Sequence, residues 1–308
     1  MIRIARLIAL GVAATVLMAG CGRGGATPAA SGPAPDADAI HVVATTTILA
    51  DIVRQIGGTR LIVTSLVPKG GEVHTFDPRP SSLRAVAQAE LVVRNGLGLD
   101  DWLAGLVTDT GSTAPILAAA EDLPNVTYIR AEDGVVNPHV WLNPRYAAAM
   151  ATRIKGALEG VDPSHAAAYA AGLAALQARL KALDAETAAV LANIPLANRK
   201  VVAFHDAFPY FADTYGLVID GTIVSAPGQD PSAGTVAQLV VRIRASRIKA
   251  IFAEAQFNDE MAQTLARETS AVVVTDLLTD STGDPPQDTY EAVMRWNASR
   301  VAAALLKP

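Results

Sequence analysis

Three of the five histidines stand in company that suits metal chemistry. His74 lies in Gly70-Gly71-Glu72-Val73-His74-Thr75-Phe76-Asp77-Pro78, and His139 in Asn137-Pro138-His139-Val140-Trp141-Leu142-Asn143-Pro144. His205 directly follows the apolar run Val201-Val202-Ala203-Phe204, at the carboxyl end of an expected strand. Asp280, a few residues past another such run, is a fourth candidate. Neutral imidazoles suit zinc and other borderline divalent metals, and a carboxylate completes a four-donor shell. No HxH or HExxH cluster is present, so spacing alone makes no site; taken singly, each histidine reads more readily as structural or exposed than as a ligand. Asp206 either orients a ligand histidine from behind or caps a helix containing Phe208 to Thr214. Glu72 and Asp77 read as solvated or capping, and His41 and His165 as non-ligands.

The elements that must bring such residues together alternate along the chain. Strands are expected at His41–Thr47, Leu61–Val67 and Leu91–Asn95, with helices near Ile48–Ile56, Ser81–Ala89 and Asp101–Thr108. The second half repeats the pattern, with strands at Lys200–Phe204, Leu217–Ile223, Ala250–Ala253 and Ala271–Thr275. Helices are expected there near Val236–Ser246, Asp259–Thr269 and Asp288–Leu306. Alternation at this spacing predicts parallel sheets covered by helices, with ligands outside the carboxyl ends of the strands. Between the halves, Pro163–Asn193 is dense in Ala, Leu, Gln and Lys. With Asp162 as cap and Pro163 in the first turn, it predicts one helix of about 30 residues, roughly 45 Å long. A hairpin broken near Gly172 is the alternative. The expected fold class is α/β: two lobes with parallel-rich sheets flanked by helices, joined by one long backbone helix.

Hydrophobic residues make up 51% of the 308 and charged residues 18%, which excludes a disordered chain. The net charge is −5 and the basic residues are scattered, so nucleic acid is not an expected partner. Arg3 and Arg6 precede an apolar stretch, Leu7 to Ala19, too short to span a bilayer comfortably. It ends in Leu17-Met18-Ala19-Gly20-Cys21, which resembles a lipoprotein cleavage site, and Cys21 is the only cysteine. Residues 1–20 therefore read as a lipoprotein signal peptide and Cys21 as the lipid attachment. Residues 21–38 read as a flexible tether. The expected lobes are 39–160 and 196–308, with 161–195 as the linking helix.

The segment around His74, NPHVWLNP, VVAFHDAFPYFADTYGL and LLTDSTGDPPQDTYEAVMRWN resemble signature stretches of one family. NGLGLDDWL, IVSAPGQDPSAG and IFAEAQFNDEMAQTLARETS extend the likeness over nearly all of residues 40–308. The family is that of the metal-binding lipoproteins of zinc and manganese ABC importers. The resemblance implies metal ligands at His74, His139, His205 and Asp280, two lobes joined by a rigid helix, and no enzymatic activity. It also implies an ABC permease with its ATPase subunit as partners. The expected location is extracytoplasmic, lipid-anchored to the cell membrane, and a monomer is expected. Three features depart from the family pattern: Asn143 stands where HxWLDP has Asp, Thr279 replaces the usual Tyr, and residues 75–135 contain no histidine-rich loop.

In this family the third ligand position often separates the metals, with Glu in manganese members. His205 there gives three imidazoles and one carboxylate, a set that favours Zn²⁺; Mn²⁺, which prefers more oxygen donors, is the alternative cargo. Unperturbed imidazoles predict that affinity falls below about pH 6.5. A zinc hydrolase with the same ligands is the enzymatic rival. It needs an open coordination position and a general base, and no HExxH-type base is present.

Overall fold

The structure is a computed structural model that describes residues 34–131, 134–224, 227–228, 231–256 and 259–306. The apolar runs become strands; the central ones are buried on both faces, as parallel sheets require, and the outer ones are partly exposed. β1 (Ile40–Ala44), β2 (Leu61–Ser65), β3 (Leu91–Arg94) and β4 (Ile116–Ala118) pair in the order β2-β1-β3-β4. β5 (Lys200–Ala203), β6 (Val218–Thr222), β7 (Ala250–Glu254) and β8 (Val272–Leu277) pair in the equivalent order, β6-β5-β7-β8. Every pairing is parallel. Helices follow: α1 (Thr47–Gly57), α2 (Pro80–Ala87), α3 (Leu103–Thr110), α4 (Pro144–Val161), α5 (Ala166–Ala192), α6 (Pro209–Tyr215), α7 (Ala233–Ser246), α8 (Glu260–Thr269) and α9 (Tyr290–Leu305).

Alternation along each strand divides the cores. Val42, Ala44, Leu91 and Val93 of the first sheet share one core with Val201, Ala203, Ala250 and Phe252 of the second. Val43 and Val92 face the other way, onto Val86 of α2 and Leu103 and Leu106 of α3. Val202, Ile251 and Ala253 likewise pack on Leu239 and Ile243 of α7 and Leu265 of α8. Each fully buried side chain of this kind contributes about 1.5–3 kcal/mol. α5 joins the halves, packing against α1 and α4 from the first and α9 from the second.

Several boundaries differ from the sequence expectation, each for a local reason. β1 stops at Ala44 because Thr46 turns to cap α1, its Oγ1 accepting the Leu49 N–H at 3.2 Å. The linking segment opens with a 3₁₀ turn, Pro163–His165, and then runs unbroken for 27 residues, about 40 Å. Asp162 does not cap that helix through its side chain; it accepts the hydroxyls of Ser164 (2.7 Å) and Tyr169 (2.6 Å) and contacts His165 Nδ1 at 2.8 Å. Gly172 does not break the helix. A Cβ there would lie 2.1 Å from the Ile56 carbonyl oxygen, so α5 crosses α1 at this glycine.

Two elements were not anticipated, β4 and α4. The signal for α4 was present in NPHVWLNP: Asn143 accepts the Arg145 N–H at 2.9 Å and Pro144 fills the first turn. The Asn143 amide also donates to Thr214 Oγ1 at 2.9 Å, while that hydroxyl donates to the Tyr210 carbonyl at 2.7 Å. A carboxylate at position 143 could offer no such donor, which gives this departure from the family pattern a local rationale.

The expected signal segment, Cys21 and residues 21–33 of the tether lie outside the described residues. The tether's last residues are held rather than free: Asp36 and Asp38 pair with Arg60 at 3.1 and 2.6 Å. Among the described residues no helix is long and apolar enough to cross a membrane.

Candidate metal centre

Both sheets aim the carboxyl ends of their strands at the same set of side chains. His74 sits in the segment after β2, His139 in the segment after β4, His205 just past β5 and Asp280 just past β8. One donor atom from each of the four lies within 4.8 Å of every other. His139 Nε2 is 3.3 Å from both His74 Nε2 and His205 Nε2. The Asp280 carboxylate approaches His139 Nε2 at 3.5 Å through Oδ1, and His205 and His74 at 3.7 and 4.0 Å through Oδ2. A tetrahedron with metal–nitrogen bonds of about 2.0–2.1 Å has edges of about 3.3–3.4 Å. The two His139 contacts match such edges, and the carboxylate contacts of 3.5 to 4.0 Å are longer. His41 and His165 stand outside it: His41 is exposed on β1, and His165 contacts Asp162.

Burial and the neighbouring charges together set the protonation of the four groups. Burial pushes the His74 imidazole down to about 3, and charge on His205 adds to the effect. Burial likewise holds His139 well below the ordinary histidine value, again reinforced by its two neighbouring histidines. Burial would lower His205 too, but Glu254, Asp280 and Glu72 outweigh it and push its pKa up to about 9. Asp280 is raised to about 7, by burial first and by Glu72 and Glu254, against the pull of His205. Two imidazoles are thus ready to donate lone pairs, while His205 must lose a proton to do so.

A layer of partners behind the donors was largely missed from sequence. His205 Nδ1 lies 3.1 Å from Glu254 Oε1, a fully buried carboxylate at the end of β7. His139 Nδ1 lies 3.0 Å from Asn137 Oδ1. Gln256 donates to Asp280 Oδ2 at 3.4 Å and to Thr279 Oγ1 at 3.3 Å. Such partners fix ring orientation and tautomer. A glutamate ending the apolar run of IFAEAQF was the available signal for Glu254, because a buried charge at a strand's carboxyl end needs a partner. Asp206 reaches His139 through Asn137, whose amide donates to the Asp206 carbonyl at 2.6 Å and carboxylate at 3.1 Å. It does not cap α6, whose first turn has no side-chain cap. Glu72 is neither solvated nor a helix cap: it is partly buried, and Oε1 accepts the His74 N–H at 2.7 Å. Asp77 is exposed, as a solvated residue, and does not cap α2, whose cap position is Arg79 without a side-chain bond.

The loops that carry the first two histidines are fastened by main-chain contacts. Trp102 Nε1 donates to the Val73 carbonyl at 2.9 Å, and the Asn95 amide donates to the Pro138 carbonyl at 3.1 Å. Across the halves, Trp141 Nε1 donates to the Thr279 carbonyl at 2.8 Å, and Ser281 Oγ accepts the Gly70 N–H at 2.8 Å.

Known proteins share this architecture. The periplasmic zinc-binding protein TroA of Treponema pallidum has the same fold, with a TM-score of 0.81 at 23% identity over 87% of this chain and 99% of its own. A crystal structure of ZnuA gives a TM-score of 0.76 at 30% identity, covering 87% of this chain and 99% of that one. The manganese ABC transporter substrate-binding lipoprotein PsaA of Streptococcus pneumoniae is 28% identical over 320 residues, 99% of each chain. Fold and relatives together define a substrate-binding component of a metal ABC transporter, an extracytoplasmic transport protein and not an enzyme. The profile of the periplasmic component A of zinc-uptake complexes, ZnuA, matches residues 42–304, and the chain belongs to that family. Proteins of this class work with a membrane permease and its ATPase subunit, and the zinc-hydrolase reading falls away.

Proposed function

We propose that this protein captures one divalent transition metal, zinc in preference, between its two lobes and hands it to an ABC permease. His74, His139, His205 and Asp280 are the ligands, Cys21 carries the lipid anchor, and the protein acts as a monomer. The lobes are taken as residues 39–160 and 196–308, linked by 161–195 and preceded by a signal peptide (1–20) and a tether (21–38). The observation that carries this reading is the spacing of the donors: three imidazole nitrogens and one carboxylate within 4.8 Å of one another, with His139 Nε2 3.3 Å from both His74 Nε2 and His205 Nε2. A nitrogen-rich four-donor shell favours Zn²⁺, and affinity for such ligands rises from Mn²⁺ toward Zn²⁺ and Cu²⁺.

Manganese is the second reading. It is supported by the name of the PsaA relative and by an Asp280 carboxylate with each oxygen within 4.0 Å of a histidine nitrogen. A competitive titration of the metal-stripped mature chain with Zn²⁺ and Mn²⁺, with bound metal counted by elemental analysis, tests both. One zinc per chain is expected, weakened in His205→Ala and Asp280→Ala beyond the about 10–100-fold that loss of an outer partner costs. Tighter retention of Mn²⁺ establishes the second reading with the same ligands. No stoichiometric metal at neutral pH overturns both.

A further inference from the structure

The carboxyl end of β7 lies between the two strands that deliver donors from the second half, β5 on one side and β8 on the other. Its last residue, Glu254, meets His205 Nδ1. Two residues further on, Gln256 meets Asp280. The Asp280 side chain is fully buried and straddles the histidine nitrogens: Oδ1 is nearest His139, and Oδ2 is nearest His205 and His74. Its two oxygens are nevertheless not equivalent. Oδ2 accepts the Gln256 amide at 3.4 Å, while Oδ1 accepts no hydrogen bond among the described residues. Thr279 Oγ1, 3.3 Å from the same amide nitrogen, steadies that donor.

A carboxylate that binds through one oxygen closes the shell at four donors. One that binds through both widens it to five. Zn²⁺ accepts the compact four-donor tetrahedron, whereas Mn²⁺ favours more oxygen donors. We propose that Gln256 is the specificity-setting residue of this site: by donating to Asp280 Oδ2 it engages one lone pair of that oxygen and weakens it as a metal donor, leaving Oδ1 the favoured one and so biasing the cargo toward zinc over manganese. Gln256 acts through Asp280 and touches no ion itself, so it is a positioning residue. The inference rests on the metal-capture reading, with His74, His139, His205 and Asp280 as ligands.

The test uses the full mature chain with two substitutions. Gln256→Met keeps the bulk and removes the donor; Gln256→Asn keeps the polarity but shortens the reach. Zn²⁺ and Mn²⁺ affinities are measured for each, together with the visible absorption of the Co²⁺-loaded protein, which is intense in a four-coordinate site and weak at higher coordination. The wild type is expected to show the intense band. Both variants are expected to lose intensity and to shift the Mn²⁺/Zn²⁺ affinity ratio toward manganese by about tenfold, the size of an outer-partner effect. A merely structural role would weaken both metals alike and leave the coordination signature in place. An unchanged ratio, a Gln256→Asn variant like wild type, or a wild-type Co²⁺ spectrum already of higher coordination each overturns the inference while the capture reading stands. A wild type that binds no metal overturns both.

Discussion

The two halves share one strand order and solve the same problem differently. In an open parallel sheet the crevice opens where the strand order reverses, between β1 and β3 in the first half and between β5 and β7 in the second. The second half places a donor at that point: His205 follows β5, and the buried Glu254 at the end of β7 backs it. The first half plugs the equivalent point with Asp100, whose carboxylate accepts Thr45 Oγ1 (2.7 Å), Asn95 N–H (2.6 Å) and Gly96 N–H (2.9 Å). Its donors come instead from flanking loops held through main-chain carbonyls, Val73 for His74 and Pro138 for His139. One buried carboxylate therefore backs a proposed metal donor and the other serves the fold.

Exchanging the two roles is the most severe way to break that contrast. Asp100→Ala leaves two backbone N–H groups and a buried hydroxyl without their acceptor, at about 1–3 kcal/mol for each group left unsatisfied. A loss of about 4 kcal/mol in unfolding free energy is expected in denaturant titrations, with zinc affinity of the surviving folded protein close to wild type. Should Asp100→Ala leave stability intact and abolish metal binding, the assignment of Asp100 to the fold is wrong.

The second-half carboxylate predicts a pH effect of comparable size. His74, pushed down to about 3, and His139, held well below the ordinary value, carry no proton to displace near neutrality. His205, pushed up to about 9, carries one, and a metal entering below that pH must expel it. The sign follows: affinity falls as pH falls from 9, by about tenfold per unit and so about 100-fold by pH 7. Below about 7 the Asp280 proton steepens the fall. Ordinary imidazoles would place the same fall near pH 6.5, so the carboxylates around His205 move it upward. Zinc titrations between pH 7 and 9 check this, and Glu254→Gln is expected to flatten the slope there. A flat wild-type profile over that range would show that His205 is not the proton-carrying ligand.

The legibility of the chain follows the same division. Strands were readable where both faces are apolar, as at Val42-Val43-Ala44 and Ala250–Ala253, because burial on both sides leaves a continuous hydrophobic run. The long helix was readable from its composition and the Asp162-Pro163 start. Edge strand β4 was not, because three residues give too short a pattern to read. The four donors were individually visible as unusual residues, but no short spacing joins them; the fold brings them together over long sequence separations, and only the family resemblance selected them in advance. Glu254, Asn137 and Gln256 were missed because their role lies in what they touch; the Glu ending an apolar run signals a buried partner for Glu254 but not which one. Asp206 was noticed, yet its route to His139 through Asn137 depends on a contact between the two halves.

The helix that joins the halves meets both through side chains but approaches the first at its backbone as well, and the smallest expected effect tests that approach. Against the second half α5 uses side chains, with Arg179 Nε donating to Glu291 at 3.0 Å. Against the first half it uses side chains too, Asp184 accepting Arg145 Nε at 2.8 Å, and adds a bare-backbone approach at Gly172, where a Cβ would meet the Ile56 carbonyl oxygen at 2.1 Å and its carbon at 2.8 Å. In an open helix, Gly→Ala stabilises by about 1 kcal/mol. Here the added methyl must push α1 and α5 apart in a close-packed core, and overpacking of this kind costs about 1–3 kcal/mol. A net loss of about 1–2 kcal/mol is expected for Gly172→Ala in thermal or denaturant unfolding, the strain outweighing the helical gain. If the substitution instead raises stability by about the helix-propensity increment, α5 does not pass α1 at backbone contact, and the first half is held to the linking helix by something other than that approach.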